Sequence, residues 1–273
     1  MKLTFTLPSL FPDVLHRAIH NINETVRDID FEIVVVSPFP VDGPRVRWVK
    51  EETPQGNCLA HTMGYEAATG DIVAAVCDDV LLLPGAVERA LSFFLDREGR
   101  AHHYALGLSP YSQTMGTVFG IYYPYFPMLR RKTIEEIGGY YRPCFRAHFG
   151  DVDIGMRVWS AGGRCEVTPF PVLHFMEAHE DFSATLRNET QHRDMETFLS
   201  FWGEKYGQGW DQAEVWQFNL DMNKTLQLFL KEEHTVNFNH PIVRAIYHRV
   251  HTNLADREVF LHIGRPNGSD GRT

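Results

Sequence analysis

The chain has 273 residues, 44% of them hydrophobic and 22% charged, an ordinary globular balance with room for one large core and an appended subdomain. Its formal charge of -9, from 35 acidic against 26 basic residues, argues against a nucleic-acid partner, which requires a basic face. No stretch approaches the roughly 18 apolar residues of a membrane span, and Pro8 and Pro12 break the N-terminal run before it can serve as a secretory signal. The four cysteines (Cys58, Cys77, Cys144, Cys165) lie far apart without CxxC spacing, which suits reduced thiols in a cytoplasmic chain better than zinc or disulfides.

Lys2 to Leu7 alternates and ends at Pro8, a first strand. Apolar residues at helical spacing (Val14, Leu15, Ala18, Ile19, Ile22) predict a helix over 13–26, opened by Pro12-Asp13. Phe31 to Val36 and Ile72 to Val76 are continuous apolar runs, expected of strands buried on both faces of a parallel sheet. Between them, Val46 to Val49 reads as a short strand and Gly56 to Thr69 as a helix closed by Gly70. Pro84 opens a helix over 86–95. Tyr104 to Phe126 reads as strands and loops rich in aromatics and Gly; within it the rings of Tyr122, Tyr123, Tyr125 and Phe126, in the loop over 111–126, suit either a sugar face or the core. Short helices follow over 133–137, ended by Gly138-Gly139, and over 151–161, ended by Gly162-Gly163, then a strand over 164–167. This rhythm predicts an α/β fold with an open, mostly parallel sheet sandwiched by helices. From about residue 180 long amphipathic segments (184–205, 212–231, 241–251) predict a helical C-terminal extension over 181–263 and a loose tail over 264–273. The catalytic unit is therefore expected to be 1–180.

In such sheets ligands bind outside the carboxyl ends of the strands. The strand over 72–76 delivers Asp78 and Asp79 to that edge. Two adjacent carboxylates repel one another, and a divalent cation removes that cost; an ordinary turn is the competing reading. Asp151 and Asp153 form a second acidic pair. There the rival is strong: Asp151 stands at a helix N-cap, and Asp153 with Arg157 has the spacing of a surface ion pair. His174, after an apolar run, reads either as a structural histidine or as a ligand. Arg130, Arg131 and Lys132 form a local basic cluster able to hold a phosphate. Trp202, Trp210 and Trp216 read as core. There is no GxGxxG after a strand, no GxxxxGK[ST] and no GxSxG, which disfavours dehydrogenases, P-loop enzymes and α/β-hydrolases.

The order of these pieces carries more than any one of them. Gly56-Asn57-Cys58-Leu59-Ala60-His61 through Ala68-Thr69-Gly70-Asp71-Ile72, then Cys77-Asp78-Asp79 and Pro84-Gly85, resembles the GT-A fold glycosyltransferases of family 2. Gly138-Gly139-Tyr140, Gly150-Asp151-Val152-Asp153-Ile154-Gly155-Met156-Arg157, Gly162-Gly163 and His174 are similar to that family's G-G-[FY], E-D-x-D-L-x-x-R, G and H block. Asp194-Met195-Glu196-Thr197-Phe198 with Trp202-Gly203 resembles a D-x-x-x-F-x-x-x-W-G stretch of rhamnosyltransferase-like members.

The resemblance implies an inverting, metal-dependent glycosyltransferase that moves one sugar from a nucleoside-diphosphate sugar to an acceptor hydroxyl. It implies that Asp79 binds Mg²⁺ or Mn²⁺ bridging the donor diphosphate, with His174 as a further metal ligand. Asp78 and Pro8 would flank the donor, Ser37 would stand at the position that contacts the base, and Asp151 would be the general base. Asp79 and Asp151 must then face a shared cleft. The acceptor is a glycan, a lipid-linked or a small molecule, and both a peripheral membrane contact and a homo-oligomer stay open. Departures occur at Ser37 (usually Asp), Cys77 (the first acidic position of D-x-D), Gly150 (usually Glu) and Thr62 (often Asn). They keep a second reading in play, a nucleotide- or glycan-binding protein of the same fold without catalysis. A nucleotidyltransferase is disfavoured, because Pro8-Ser9-Leu10-Phe11-Pro12 is neither Gly-rich nor basic.

Overall fold

The computed structural model describes residues 1–109, 114–118, 121–176, 184–206 and 216–221. The first half runs β1 (Lys2–Pro8), α1 (Pro12–Thr25), β2 (Asp30–Ser37), β3 (Val46–Lys50), α2 (Asn57–Ala67), β4 (Ile72–Ala75), β5 (Val80–Leu82), α3 (Ala86–Glu98) and β6 (Tyr104–Gly107). The second half adds β7 (Thr114–Val118), β8 (Ile121–Tyr122), β9 (Pro127–Arg130), α4 (Arg131–Glu136), α5 (Gly150–Ser160), β10 (Arg164–Val167), β11 (Leu173–Phe175), α6 (Ala184–Tyr206) and β12 (Trp216–Asp221).

Seven strands form one sheet in the order β10-β6-β9-β4-β1-β2-β3. β1 pairs in parallel with β2 and β4, β2 with β3, and β6 with β10, whereas β9 runs antiparallel between β4 and β6. Strand alternation divides the core in two. On one face Ile72, Ala74 and Val76 pack with Leu15, Ile19 and Ile22 of α1 and Val87, Leu91 and Phe94 of α3. On the other, Val73 and Ala75 join Ile134, Val152, Met156, Phe198 and Trp202 from α4, α5 and α6. Two covered faces explain why β2 and β4 read as unbroken apolar runs.

Several expectations change. Gly70 does not close α2 as a left-handed residue; the helix ends at Ala67, and a Cβ at Gly70 would stand 2.5 Å from Thr4 Oγ1 and 2.8 Å from the Lys2 carbonyl oxygen. β5 and β11, three residues each, pair antiparallel as a small separate sheet. Within the segment 212–231, expected to be helical, Trp216–Asp221 is a strand paired with β7, and the alternation Trp216, Phe218, Leu220 has the strand period. α6 matches the first segment of the expected extension, but Phe198 and Trp202 are buried in the same core as α5, so the boundary expected at 180 falls before an integral helix. The segment 241–251, the tail 264–273 and Trp210 lie outside the described residues. Among the described residues no helix is long and apolar enough to cross a membrane.

Candidate active site

β4 ends at Ala75, and the chain continues through Val76 and Cys77 to Asp78 and Asp79 at the carboxyl edge of the sheet. A cleft of about 790 Å³ opens there, lined among others by Pro8, Ser9, Arg17, Asp78, Asp79 and Arg146. Its size is that of a ligand pocket, of the order of 300–1,000 Å³. Ser9 Oγ donates a 2.5 Å hydrogen bond to Asp78 Oδ2, tying the end of β1 to the acidic pair. Asp79 is exposed at the lip, and its carbonyl accepts a 2.7 Å hydrogen bond from the Met176 N–H. That bond extends the β5–β11 ladder and brings Met176 into the cleft wall.

Asp151 reaches the same edge by another route. α5 leads into β10, which is parallel to β6, so α5 runs against the strands and its first turn lies at their carboxyl ends. Asp151 occupies that turn but caps nothing across it: the N-cap residue is Phe149, and Asp151 Oδ1 accepts from the adjacent Val152 N–H at 2.9 Å. Burial raises its carboxyl to about 7, against which the N–H groups of Val152 and of Asp151 itself pull only weakly. Asp151 does not line the cleft. It borders it through Cys77, which lines the cleft and whose ionisation is opposed first by burial and then by the charges of Asp79, Asp78 and Asp151; Tyr125 beside it is opposed by burial, then by Cys77 and Asp151.

The wall behind Asp151 is built from buried charges. Asp153 is fully buried, with Oδ2 2.8 Å from Arg157 Nε and Oδ1 accepting from Trp202 Nε1 at 2.9 Å, while Arg142 Nη1 stands 3.3 Å from Oδ1. The pair expected on a helix surface is thus an interior one. The Arg157 guanidinium also donates to the carbonyls of Ile137, Gly139 and Tyr140, which fixes the Gly138-Gly139-Tyr140 turn after α4. Asp194, fully buried on α6, accepts N–H groups from Arg146, Ala147 and His148 at 2.9–3.1 Å. Phe198, one turn on, packs against Phe149 at 5.2 Å. Phe149 has φ 64, a left-handed conformation that costs a bulky residue about 1–2 kcal/mol and sets the entry into α5. Asp194, Phe198 and Trp202 are spaced i, i+4, i+8 and form one clamping face.

Gly150 has a steric reason. A Cβ there would meet Tyr141 Cδ1 at 2.4 Å and Cys58 Sγ at 2.6 Å, so the Glu of the family pattern has no room in this chain.

Of the residues singled out from sequence, Pro8, Asp78 and Asp79 line one cleft and Asp151 borders it. Ser37 does not. It is fully buried at the end of β2, where its Oγ donates to the Phe39 carbonyl at 2.6 Å and accepts from Trp48 Nε1 at 3.1 Å; that corner satisfies it locally. His174 does not either. Its pairing with Leu81 turns it toward α1, in a separate apolar depression with Asn21, Thr25 and Pro84. The basic cluster is committed elsewhere: Arg130 chelates Glu98, and Arg131 donates to the Ala68 and Gly70 carbonyls. Among the aromatics, Tyr123 and Phe126 are core and Tyr125 is half-buried beside Asp151. Ser9, Arg17, Glu51, Arg146 and Met176 escaped the sequence reading, because tertiary contacts alone bring these loop and helix-face positions together.

No family model matches the chain, and no curated protein does. Solved structures do. A mannosyltransferase from Pyrobaculum calidifontis, PcManGT, in complex with GDP-Man and Mn²⁺, is similar with a TM-score of 0.57 at 15% identity, over 94% of this chain and 88% of that one. TarS of S. aureus, residues 1-349, is similar with a TM-score of 0.50 at 13% identity, over 100% and 95% of the two chains. The chain has the GT-A fold. In that fold the carboxyl edge of β1 and β4, where the cleft lies, is the edge expected to take the ligand.

Proposed function

We propose that the protein is an inverting glycosyltransferase that moves one sugar from a nucleoside-diphosphate sugar to an acceptor hydroxyl. The observation that carries this reading is Asp151: a carboxyl raised to about 7, bordering a cleft that holds a second acidic pair at the same sheet edge. A general base works best when its pKa lies near the operating pH. The GT-A fold, and the GDP-Man and Mn²⁺ held by the mannosyltransferase of similar structure, support a nucleotide sugar and a divalent cation for this cleft.

Asp78 and Asp79 offer hard oxygen donors, and among the described residues the cleft gathers no three-ligand cage of its own. That suits Mg²⁺ or Mn²⁺, held by one or two carboxylates and completed by substrate phosphates. Asp79, exposed at the lip, would take the main contact, with Asp78, held by Ser9, beside it. When bound, the cation would neutralise charge developing on the leaving diphosphate. Arg17 and Arg146 add positive charge to the same walls. Ionised Asp151 accepts the proton of the acceptor hydroxyl as its oxygen bonds to the anomeric carbon, and the bond to the nucleoside diphosphate breaks on the opposite side. Cys77, in the cleft lining, and Tyr125 both feel the charges of Asp79 and Asp151, and burial opposes ionisation of each.

The test is a transfer assay over a panel of nucleotide sugars with Mg²⁺ or Mn²⁺, followed by two variants. Asp151→Asn should lower turnover by about 10²–10⁴-fold while nucleotide affinity is kept. Asp79→Ala should weaken metal-dependent nucleotide binding in calorimetry. Wild-type turnover in Asp151→Asn would sink the proposed base; nucleotide binding without any transfer or donor hydrolysis would favour a binding protein.

A further inference from the structure

At the opposite edge of the sheet lies a group that the transfer reaction does not use. β6 begins at Tyr104 and β9 ends at Arg130, which pairs with Ile72 at the start of β4. His102 and His103, just before β6, and Glu136, at the end of α4, therefore gather at the amino edge, away from Asp78 and Asp79. Their nearest ligand atoms all lie within 4.8 Å of one another. The two imidazoles stand side by side, ring centroids 4.3 Å apart.

His103 adds an independent observation. It is 6% exposed, and its Nδ1 is enclosed without a hydrogen-bond partner, 3.4 Å from Glu136 Oε2. A buried polar atom left unpaired is costly, and such groups are rare in folded proteins. Its carbonyl accepts the Arg164 N–H at 2.8 Å, which fixes its backbone at the β6–β10 edge. His102 and Glu136 are exposed and can turn toward it.

We propose that His102, His103 and Glu136 form a second metal site, for a transition-metal dication of the zinc class, that clamps the β6 entry to α4. Two imidazoles and a carboxylate suit Zn²⁺, Co²⁺ or Ni²⁺, whereas Mg²⁺ and Mn²⁺ prefer oxygen ligands. Zn–N bonds of about 2.0–2.1 Å in a tetrahedron require ligand atoms about 3.3 Å apart. Side chains within 4.8 Å need close by no more than about 1.5 Å to reach that spacing, and a water would complete the shell. Lys132 Nζ, 3.7 Å from Glu136 Oε1, is the local competitor and would be displaced. Because α4 leads into the turn held by Arg157, the site would stiffen the base wall without touching substrate.

The test uses the full chain with the metal alone, and no nucleotide. One equivalent of Zn²⁺ should raise the melting temperature by about 3 °C or more, Mg²⁺ should not, and Co²⁺ should give a visible absorption band. His102→Ala and Glu136→Gln, both surface changes, should each weaken Zn²⁺ binding at least about tenfold. Asp79→Ala and Cys144→Ser should leave it unchanged. Equal Zn²⁺ affinity in the His102→Ala, Glu136→Gln double variant would overturn the site, as would loss of binding in Asp79→Ala or Cys144→Ser.

Discussion

The lip of the cleft after β4 and the wall formed by α5 and α6 both present aspartates, but they are built in different ways. At the lip, Asp78 and Asp79 follow directly from an apolar strand; Ser9 donates to the Asp78 carboxylate and the Met176 N–H to the Asp79 carbonyl. The wall draws on four separate segments. Within it, Asp153 is compensated by Arg157, Arg142 and Trp202, while Asp151, two residues earlier, receives only backbone N–H groups. One carboxylate is spent on structure and its neighbour is left costly to ionise. The difference teaches that an acidic pair in sequence need not share a role.

The largest effect is expected on the structural side. Arg157→Ala leaves the buried Asp153 charge to Arg142 and Trp202 alone and takes the donor from the Ile137, Gly139 and Tyr140 carbonyls, and should cost about 3–5 kcal/mol in denaturant unfolding. Asp194→Ala leaves the N–H groups of Arg146, Ala147 and His148 without their acceptor, and should cost about 3 kcal/mol.

Asp151 should behave in the opposite sense. Its folded value is raised from 3.8 to about 7, so its stabilising contribution is whole below pH 3.8 and is lost as pH rises toward 7. Asp151→Asn should then be about 2–4 kcal/mol more stable than wild type at pH 8 and indistinguishable at pH 4, by thermal or urea unfolding. Equal stability at pH 8 would remove the contrast with Asp153. Transfer should rise with pH through about 7, as the base ionises.

Gly150→Ala should cost about 1–3 kcal/mol through contact with Tyr141 and Cys58. Adding Tyr141→Ala should make the double loss smaller than the sum. The smallest effect lies far from either region. Burial would raise Glu32, but hydrogen bonds from Lys2, the Thr69 N–H, Thr4 and the Thr69 hydroxyl outweigh it and hold it at about 2. Its contribution is present above 4.5 and lost as pH falls toward 2, so Glu32→Gln should lose about 1 kcal/mol at pH 7 and nothing at pH 2.

The sheet was legible wherever burial on both faces produced unbroken apolar runs, as in β2 and β4, and α1 was legible from its spacing. β5 and β11 were not, since three residues carry no measurable period. Pro8, Asp78 and Asp79 could be placed because strand ends project to one edge. Ser37 and His174 could not, because a buried corner and a ladder partner, both tertiary, decide where they point. The motif Asp194, Phe198, Trp202 was visible as a resemblance, but its meaning needed the loop it grips.

That grip bears on how the protein can be divided. A chain ended at residue 180 would keep every residue proposed to meet substrate, yet it would lose the anchor of 146–148 and the partner of Phe149. Its aspartates would be present on paper and adrift in solution. Fusions, shortened versions and chimaeras of this protein should therefore treat the helix over 184–206 as part of the cleft's support, and make their cuts downstream of it.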